Sequence, residues 1–288
     1  MNNLNGILLM IAAMAGFALE DLFVKLLSTT ISTGQILITL GLCSSSIFAV
    51  MAWAKGHNIF AAHAWTWATT ARMFAEAIAA VAFVTSLSLV PISTVAAVFQ
   101  VTPLAITMGA ALFLGEQVGW RRWSAIVVGF IGVLIIIRPG FSGFDPAVLF
   151  VLLSVLGVTL RDLITRRIPQ NIASTVISFQ AFASLVFAGA LLLFMSSETL
   201  VAVSKLQAAY FGGGVLFGVM GYYGIVAAMR SGDAAAITPF RYTRLLFSII
   251  IGVLVFKERP DALTLLGSTI VIGTGLFTFL RERRLASH

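Results

Sequence analysis

The sequence predicts an all-α polytopic membrane protein of ten transmembrane helices, arranged as two inverted five-helix repeats. Three observations predict this fold class. The 288 residues are 59% hydrophobic and only 10% charged. Ten apolar segments are each long enough to cross a bilayer, and two short motifs recur at nearly the same offset. Because a soluble domain carries about 25% charged residues, the excess apolar surface must face lipid.

Charge and cysteine usage exclude several classes of protein. The net charge of +7 rests on 18 Lys and Arg, and their densest group is Arg281, Arg283 and Arg284 at the C-terminus. Basic excess in a membrane protein reflects its cytoplasmic loops, so no nucleic-acid partner is predicted. A single cysteine, Cys43, permits neither an intrachain disulfide nor a thiolate metal site.

The spans follow from length and apolarity, since a transmembrane helix needs roughly 20 mostly apolar residues. The first span lacks the basic flank of a signal peptide, and it is longer than the apolar core of one. The short linkers leave no room for a second folded domain. The predicted spans are 4–27, 33–54, 66–89, 92–114, 120–138, 145–166, 172–195, 207–230, 234–256 and 261–280.

Orientation is predicted from the Lys and Arg near the span ends, which favour the cytoplasmic side. Cytoplasmic termini, in a bacterial inner membrane, place ten of these residues inside and five outside. The inner ten are Lys55, Arg121, Arg122, Arg161, Arg166, Arg167, Arg230, Arg281, Arg283 and Arg284. The outer five are Lys25, Arg138, Lys205, Lys257 and Arg259. Lys25, Arg166 and Arg167 are predicted to be interfacial anchors.

Two matched motifs reveal the repeat. Gly16–Lys25 in span 1 and Gly157–Arg166 in span 6 share Gly, Leu, Asp and Leu and end on a basic residue, at an offset of 141. Leu112–Glu116 and Leu254–Glu258 match at an offset of 142. Together they indicate an internal duplication.

The orientation of the halves follows from the offset of five spans. Five is odd, so equivalent spans cross the membrane in opposite directions, as in many secondary transporters. The predicted repeats are residues 1–141 and 142–288. Two states related by the pseudo-two-fold axis can then open to opposite sides.

The motifs in the first half resemble the EamA-type module of the drug/metabolite transporter superfamily. They are Ser88–Ala97, Thr102–Leu104 and Leu112–Glu116, and the second half is similar at Ala234–Ala236 and Phe256–Pro260. The resemblance implies ten helices, a central cavity, and export or exchange of small metabolites, in the amino-acid and metabolite exporter branch. The second half departs from the module at Arg244-Leu245, where a mid-span proline is usual, and at Lys257, where the first half has Gly115.

Two arginines in the middle of span 9 are the leading substrate-binding candidates. A charge at the bilayer centre costs about 2.5–3.5 kcal/mol, so such residues face a cavity or a partner. Arg241 and Arg244 lie on one helix face, with Tyr242 and Thr243 completing a polar patch. A guanidinium matches a carboxylate bidentately, so at least one arginine is expected to hold an anionic group. The alternative is that both arginines pair with acidic residues and lock the bundle.

Further candidates lie on other spans. Arg72 and Glu76 are spaced to form an ion pair within span 3; alternatively, Glu76 faces the cavity and binds substrate or a proton. Gln100 is a polar group within a span and is expected to line the cavity. Tyr222 is expected either to offer an aromatic wall to the substrate or to belong to the interfacial belt.

Four charged residues on spans 1 and 6 are candidate gates. Glu20 and Asp21 have Arg161 and Asp162 as repeat counterparts, so they could pair alternately as each side closes. The alternative is that all four are interfacial charges with solvated heads.

Two prolines are candidate hinges. Pro103 interrupts span 4, and Pro239 lies in the first turns of span 9. Proline frees a backbone carbonyl and can kink a helix. Alternatively, Pro239 only starts a helix.

These features predict a secondary transporter, an exporter or exchanger of amino acids or related metabolites, working by alternating access as a monomer or homodimer. Its partners would be a small-molecule substrate and the lipid bilayer. A lipid-carrier flippase of the same fold is the first alternative. An integral-membrane enzyme is the second, disfavoured because His57, His63 and His288 lie outside the spans and no nucleophile elbow or HExxH helix occurs. No cofactor, metal or direct use of ATP is predicted, since there is no Walker A sequence.

Overall fold

The computed structural model describes residues 3–139, 144–169, 171–196, 199–231 and 237–286. The predicted repeat boundary at residues 141 and 142 lies outside these ranges, as do His288 and the motif Ala234–Ala236. The side chains of Arg230, Arg281, Arg283 and Arg284 are likewise outside the described part.

Eleven α-helices account for most of the described chain. They are α1 (Asn3–Leu27), α2 (Thr33–Ala54), α3 (Trp67–Leu89), α4 (Ile92–Phe99), α5 (Thr102–Phe113), α6 (Trp120–Ile137), α7 (Val148–Thr165), α8 (Ser174–Ser196), α9 (Lys205–Ser231), α10 (Thr243–Leu254) and α11 (Ala262–Ala286). Two 3-10 segments, Ala62–Ala64 and Thr238–Tyr242, precede α3 and α10.

Ten spans result from these helices. Within the described residues, seven segments are long and apolar enough to cross a membrane: α1, α2, α3, the α4–α5 unit, α6, α7 and α8. The 27-residue α9, the segment Thr238–Leu254 and α11 supply the other three. Each span lies within a few residues of its predicted position, so the predicted all-helical fold of two five-helix repeats is confirmed.

Helix packing follows the repeat symmetry. Exchange of the two repeats converts α1 into α7 and α3 into α9. Accordingly, α1 packs on α9 just as α3 packs on α7. Helix α2 packs on its own counterpart α8, and α6 packs on its counterpart α11. A two-fold axis in the membrane plane requires this set of neighbours.

Glycines allow α2 to cross α8 closely, and α6 to cross α11 closely. A Cβ atom at Gly34 would lie 2.8 Å from the carbonyl oxygen of Gly189, and one at Gly189 would lie 2.5 Å from the oxygen of Gly34. Gly132 and Gly267 are related in the same way, at 3.0 Å and 2.5 Å. Both crossings therefore bring backbone against backbone, as small residues permit in membrane helix pairs.

Gly267→Ala is expected to destabilise the bundle, because the new methyl group would meet the Gly132 carbonyl, which belongs to a packed helix. Overpacking of this kind typically costs about 1–3 kcal/mol. Thermal unfolding in detergent should show a lowered midpoint. Gly273→Ala on the same helix is the matched control, since nothing lies within 4 Å of its Cβ position. Equal midpoints for the two variants would contradict the close crossing.

A turn at the end of each fourth span repeats the same geometry. Gly115 and Lys257, one repeat apart, both have left-handed backbones with φ of 70° and 56°. The amide of each following glutamate bonds to a carbonyl six residues earlier, at 3.3 Å and 2.9 Å. Lys257 thus keeps the conformation of the glycine it replaces, although this costs a non-glycine residue about 1–2 kcal/mol.

The fourth span of each repeat is discontinuous. Span 4 breaks between α4 and α5 at Gln100 and Val101, and span 9 breaks at Tyr242 and Thr243, where the 3-10 segment meets α10. An offset of 142 relates the two breaks. Pro103 stands in the first turn of α5, and Pro239 stands in the 3-10 segment. Broken helices at the midplane are where transporters of this architecture place their sites.

Candidate functional site

Arg244 is committed to Asp21. Its Nη2 donates to both oxygens of the Asp21 carboxylate, at 2.9 Å and 2.7 Å, and its Nε lies 3.2 Å from Oδ2. The Asp21 side chain is only 5% exposed. The pair joins α10 to α1 and leaves neither charge alone in the membrane.

Three aromatic rings enclose the same guanidinium. The Arg244 Cζ atom lies 5.3 Å from the ring centroid of Phe17 and 5.5 Å from those of Phe83 and Phe99. Cation–π contacts of this kind contribute about 0.5–2 kcal/mol each. Arg244 therefore holds α1, α3, α4 and α10 together.

Arg241 has no bonded partner among the described residues. Its side chain is exposed, and it forms no hydrogen bond or ion pair with any described residue. Asp162, Arg161 and Arg244 act on it electrostatically. These groups lie inside the bundle, so the Arg241 guanidinium lies toward the inside of the bundle rather than toward lipid.

Arg241 also lies near the middle of the membrane. It precedes α10, whose 12 residues span about 18 Å at 1.5 Å per residue. Half of the hydrocarbon core is about 15 Å. A cation at this depth without a partner in the described part of the chain is a functional-site candidate.

A second charged cluster joins α3 to α7. Arg161 lies 3.1 Å from Glu76 through Nη1 and 2.8 Å from Asp162 through Nε. Arg72 Nη2 lies 3.5 Å from Glu76, and its Nε donates to Thr165 at 2.9 Å. The four charges sum to zero, and the Asp162 side chain remains 33% exposed.

Glu20 takes no part in either cluster. Its side chain is half-buried, has no hydrogen bond or ion pair with a described residue, and packs on Gly218 of α9. The four candidate gates are therefore not brought together. Asp21 pairs with Arg244, Arg161 pairs with its neighbour Asp162 on α7, and Glu20 has no partner in the described chain.

The remaining candidates differ in their exposure and in their hydrogen bonds. Tyr242 is 8% exposed and packs on Gly275 of α11. Gln100 is 8% exposed at the α4–α5 break, and its side chain bonds to no described residue. The Tyr222 hydroxyl shares a 2.7 Å hydrogen bond with Ser178, so it ties α9 to α8.

One end of the bundle is closed by a clasp that sequence reasoning missed. We call it the Lys25 end, and the opposite end the Glu116 end. Glu258 accepts hydrogen bonds from the Ile92 amide (2.7 Å), the Ser93 amide (3.0 Å) and the Ser93 hydroxyl (2.6 Å). Its carboxylate thus caps the N-terminus of α4, where negative charge is favourable.

Lys25 completes the clasp instead of serving as the predicted interfacial anchor. Its Nζ donates to the carbonyls of Leu87 (2.9 Å) and Val90 (2.6 Å) at the end of α3, and it lies 5.4 Å from the Phe256 ring. The motif match had marked Glu258 only as a repeat position. Its recurrence with Glu116 was the one signal in the sequence that pointed to the clasp.

The counterparts at the Glu116 end are arranged differently. Glu116 is the repeat equivalent of Glu258, and Arg166 is the equivalent of Lys25. They bind each other at 2.5 Å, with both side chains about half exposed at 51% and 47%. The largest buried hydrophobic cluster includes Leu27, Leu87 and Ile92 at the Lys25 end and extends to Leu104 and Ile126 on α5 and α6. The equivalent charged residues at the two ends therefore form different contacts.

A surface pocket at the Lys25 end lies beside the clasp, since Val90, Ser93 and Glu258 line it, and apart from the mid-membrane charges. It measures about 360 Å³ and is lined by helix-end residues that include Arg138 and Asp261. Arg138 hydrogen-bonds to Asp261, which also accepts from the Thr264 amide at 2.9 Å. These bonds lower the pKa of Asp261 to about 2, so its capping charge on α11 persists at physiological pH. Arg241 and Glu20, which have no described partner, do not line this pocket. The mid-membrane region is therefore the better candidate site.

The chain is similar to several proteins named as transporters. An S-adenosylmethionine uptake transporter of Rickettsia conorii is 31% identical over 203 residues, which cover 69% of this chain and 66% of that protein. A riboflavin transporter of Rhizobium johnstonii is 31% identical over 219 residues, covering 76% and 72%. A pseudopaline exporter of Pseudomonas aeruginosa is 26% identical over 189 residues, covering 64% of each. The matched segments therefore span about two thirds of the length of these relatives.

A solved crystal structure shares the fold, with a TM-score of 0.65 at 16% identity, covering 95% of this chain and 98% of that one. The EamA-like transporter family matches residues 4–138 and again residues 145–280. The relatives are named as transporters or exporters, in agreement with the prediction that the chain is not an enzyme. With both halves matched, this chain belongs to the EamA-like transporter family.

Proposed function

We propose that the chain is a secondary transporter of small metabolites that carry a carboxylate, amino acids and their derivatives among them, and that Arg241 binds that carboxylate. The observation that carries the proposal is the contrast between the two arginines. Arg244 is saturated by Asp21, whereas Arg241 is exposed in the interior without a described partner. A planar guanidinium with free donors suits a bidentate carboxylate.

Transport would proceed by alternating access. The clasp of Glu258 and Lys25 supports a state closed at the Lys25 end. The inverted repeat supplies the same residue types at the other end, Glu116 and Arg166, so a second state of opposite access is available. With both termini cytoplasmic in a bacterial inner membrane, as the Lys and Arg distribution favours, the closed end is the outer one.

The relatives guide the choice of solutes. Their names include an uptake transporter and an exporter, so the assay must detect movement in either direction. Counterflow in proteoliposomes does so, because exchange across a loaded vesicle needs no driving gradient. The panel should contain labelled S-adenosylmethionine, riboflavin, several amino acids and small dicarboxylates.

We expect at least one carboxylate-bearing solute of this panel to exchange well above protein-free liposomes. The potency of unlabelled competitors should then depend on their charge. The carboxamide analogue of the transported solute should compete at least tenfold less well. Exchange of riboflavin alone, or equal competition by acid and amide, would contradict the carboxylate site. Repeating the assay with a pH gradient shows whether protons drive transport.

A further inference from the structure

The repeat symmetry breaks at one ion pair. In the interface between α3 and α7, Glu76 faces Arg161 at 3.1 Å. The offsets of 141 and 142 convert Arg161 into Glu20 and Glu76 into Gly218. In the equivalent interface between α1 and α9, a Cβ atom at Gly218 would indeed lie 2.6 Å from the Glu20 Oε1. The same two positions therefore meet in both interfaces, with opposite chemistry.

Among the described residues, Glu20 is consequently a carboxylate without a hydrogen-bond or ion-pair partner. Position 218 has no side chain, and Asp21 is occupied by Arg244. Glu20 is half-buried and bonds to no described residue. A carboxylate within a span faces a cavity or a partner. The equivalent interface between α3 and α7 shows that a cationic group fits beside a carboxylate at these two positions.

Aromatic residues neighbour Glu20 along α1 and Gly218 along α9. Phe17 and Phe23 lie three residues before and after Glu20 on α1, on the same side of the helix. Phe23 stacks on Phe217 with ring centroids 6.0 Å apart, and Phe217 adjoins Gly218. A carboxylate flanked by aromatic faces suits a poorly hydrated organic cation, which gains from both charge and cation–π attraction.

We propose that Glu20, with Phe17, Phe23 and Phe217, forms a subsite for a second cationic group of the transported solute, beyond its α-ammonium: a guanidinium or a sulfonium. This inference rests on the proposed function and adds a further charge to the substrate class. Arg241 and Glu20 are both acted on by Arg244, so the two subsites lie in one region. The solute would then be zwitterionic, with its carboxylate at Arg241 and its second cationic group at Glu20.

Matched ligand pairs test the subsite. S-adenosylmethionine and S-adenosylhomocysteine differ by the methyl group that makes the sulfur cationic, and arginine and citrulline differ by the guanidinium charge. Competition against exchange of the solute identified by counterflow measures the affinity of each compound. The wild type should prefer the cationic member of at least one pair, and Glu20→Gln should reduce that preference by roughly tenfold, about 1.4 kcal/mol.

A second variant leaves the carboxylate in place. Gly218→Ala puts a methyl group where the Glu20 carboxylate now lies, so the flexible end of that side chain must shift. We expect a folded protein with a weakened preference for the cationic member. Gly212→Ala on the same helix is the matched control, because nothing lies within 4 Å of its Cβ position.

The outcomes separate this inference from the proposed function. A wild type that does not distinguish the members of either pair overturns the subsite. So does Glu20→Gln with unchanged discrimination but lost stimulation by a pH gradient, which would make Glu20 a proton site. In both cases exchange of carboxylate solutes would persist and the proposed function would stand. Absence of exchange for every carboxylate solute would overturn the proposed function itself.

Discussion

Replacing Asp21 by alanine should sharply reduce the amount of folded protein. The substitution leaves the Arg244 guanidinium without its bidentate acceptor inside the membrane. Breaking a buried ion pair by removing one partner costs about 3–5 kcal/mol, a large part of the stability of most proteins. We expect a markedly lower unfolding midpoint in detergent and little monodisperse protein in size-exclusion chromatography.

The neighbouring residue provides the control for this prediction. Glu20→Ala removes a carboxylate from the same turn of α1, but Glu20 has no described partner, so its midpoint should stay close to that of the wild type. The double variant Asp21→Asn with Arg244→Met removes both charges and should recover part of the loss, since uncharged residues of similar size can replace a buried pair. A wild-type midpoint for Asp21→Ala would show that Arg244 does not depend on Asp21.

Of the two alternatives for the arginine pair, pairing with an acidic residue describes Arg244, and substrate binding is proposed for Arg241. Sequence could place Arg241 and Arg244 at mid-depth and on one face, because both properties are local. It could not tell which arginine is bound, since the partner Asp21 lies 223 residues away. Only packing of α1 against α10 brings the pair together. The same limit hid the clasp, in which Glu258 reaches helix α4 across 165 residues.

Local patterns explain what could be predicted. Ten apolar segments define the spans because a bilayer crossing is a matter of length and composition. The two motif matches defined the inverted repeat, and with it which helices would be equivalent. The unequal use of equivalent positions, such as Glu258 against Glu116, depends on the conformational state and is invisible to sequence.

Arg241→Ala should have the opposite signature to Asp21→Ala: a folded protein that no longer binds its solute well. Arg241 forms no bond with a described residue, so the truncation breaks no described contact. Hydrogen bonds to charged groups are worth about 1.5–3 kcal/mol. The loss of a carboxylate clamp should therefore weaken affinity by roughly ten- to a hundredfold.

Two comparisons make the Arg241 prediction specific. Arg241→Lys keeps the charge but loses the planar fork, so it should recover only part of the affinity. More tellingly, the wild type should prefer the carboxylate solute over its carboxamide, and Arg241→Ala should bind both with the same low affinity, because the group that distinguishes them is gone. If the variant kept the wild-type preference, the carboxylate would be held elsewhere. The exposed Asp162 beside Arg161 would then mark α7 as the element to test next, through Arg161→Ala in the same assay.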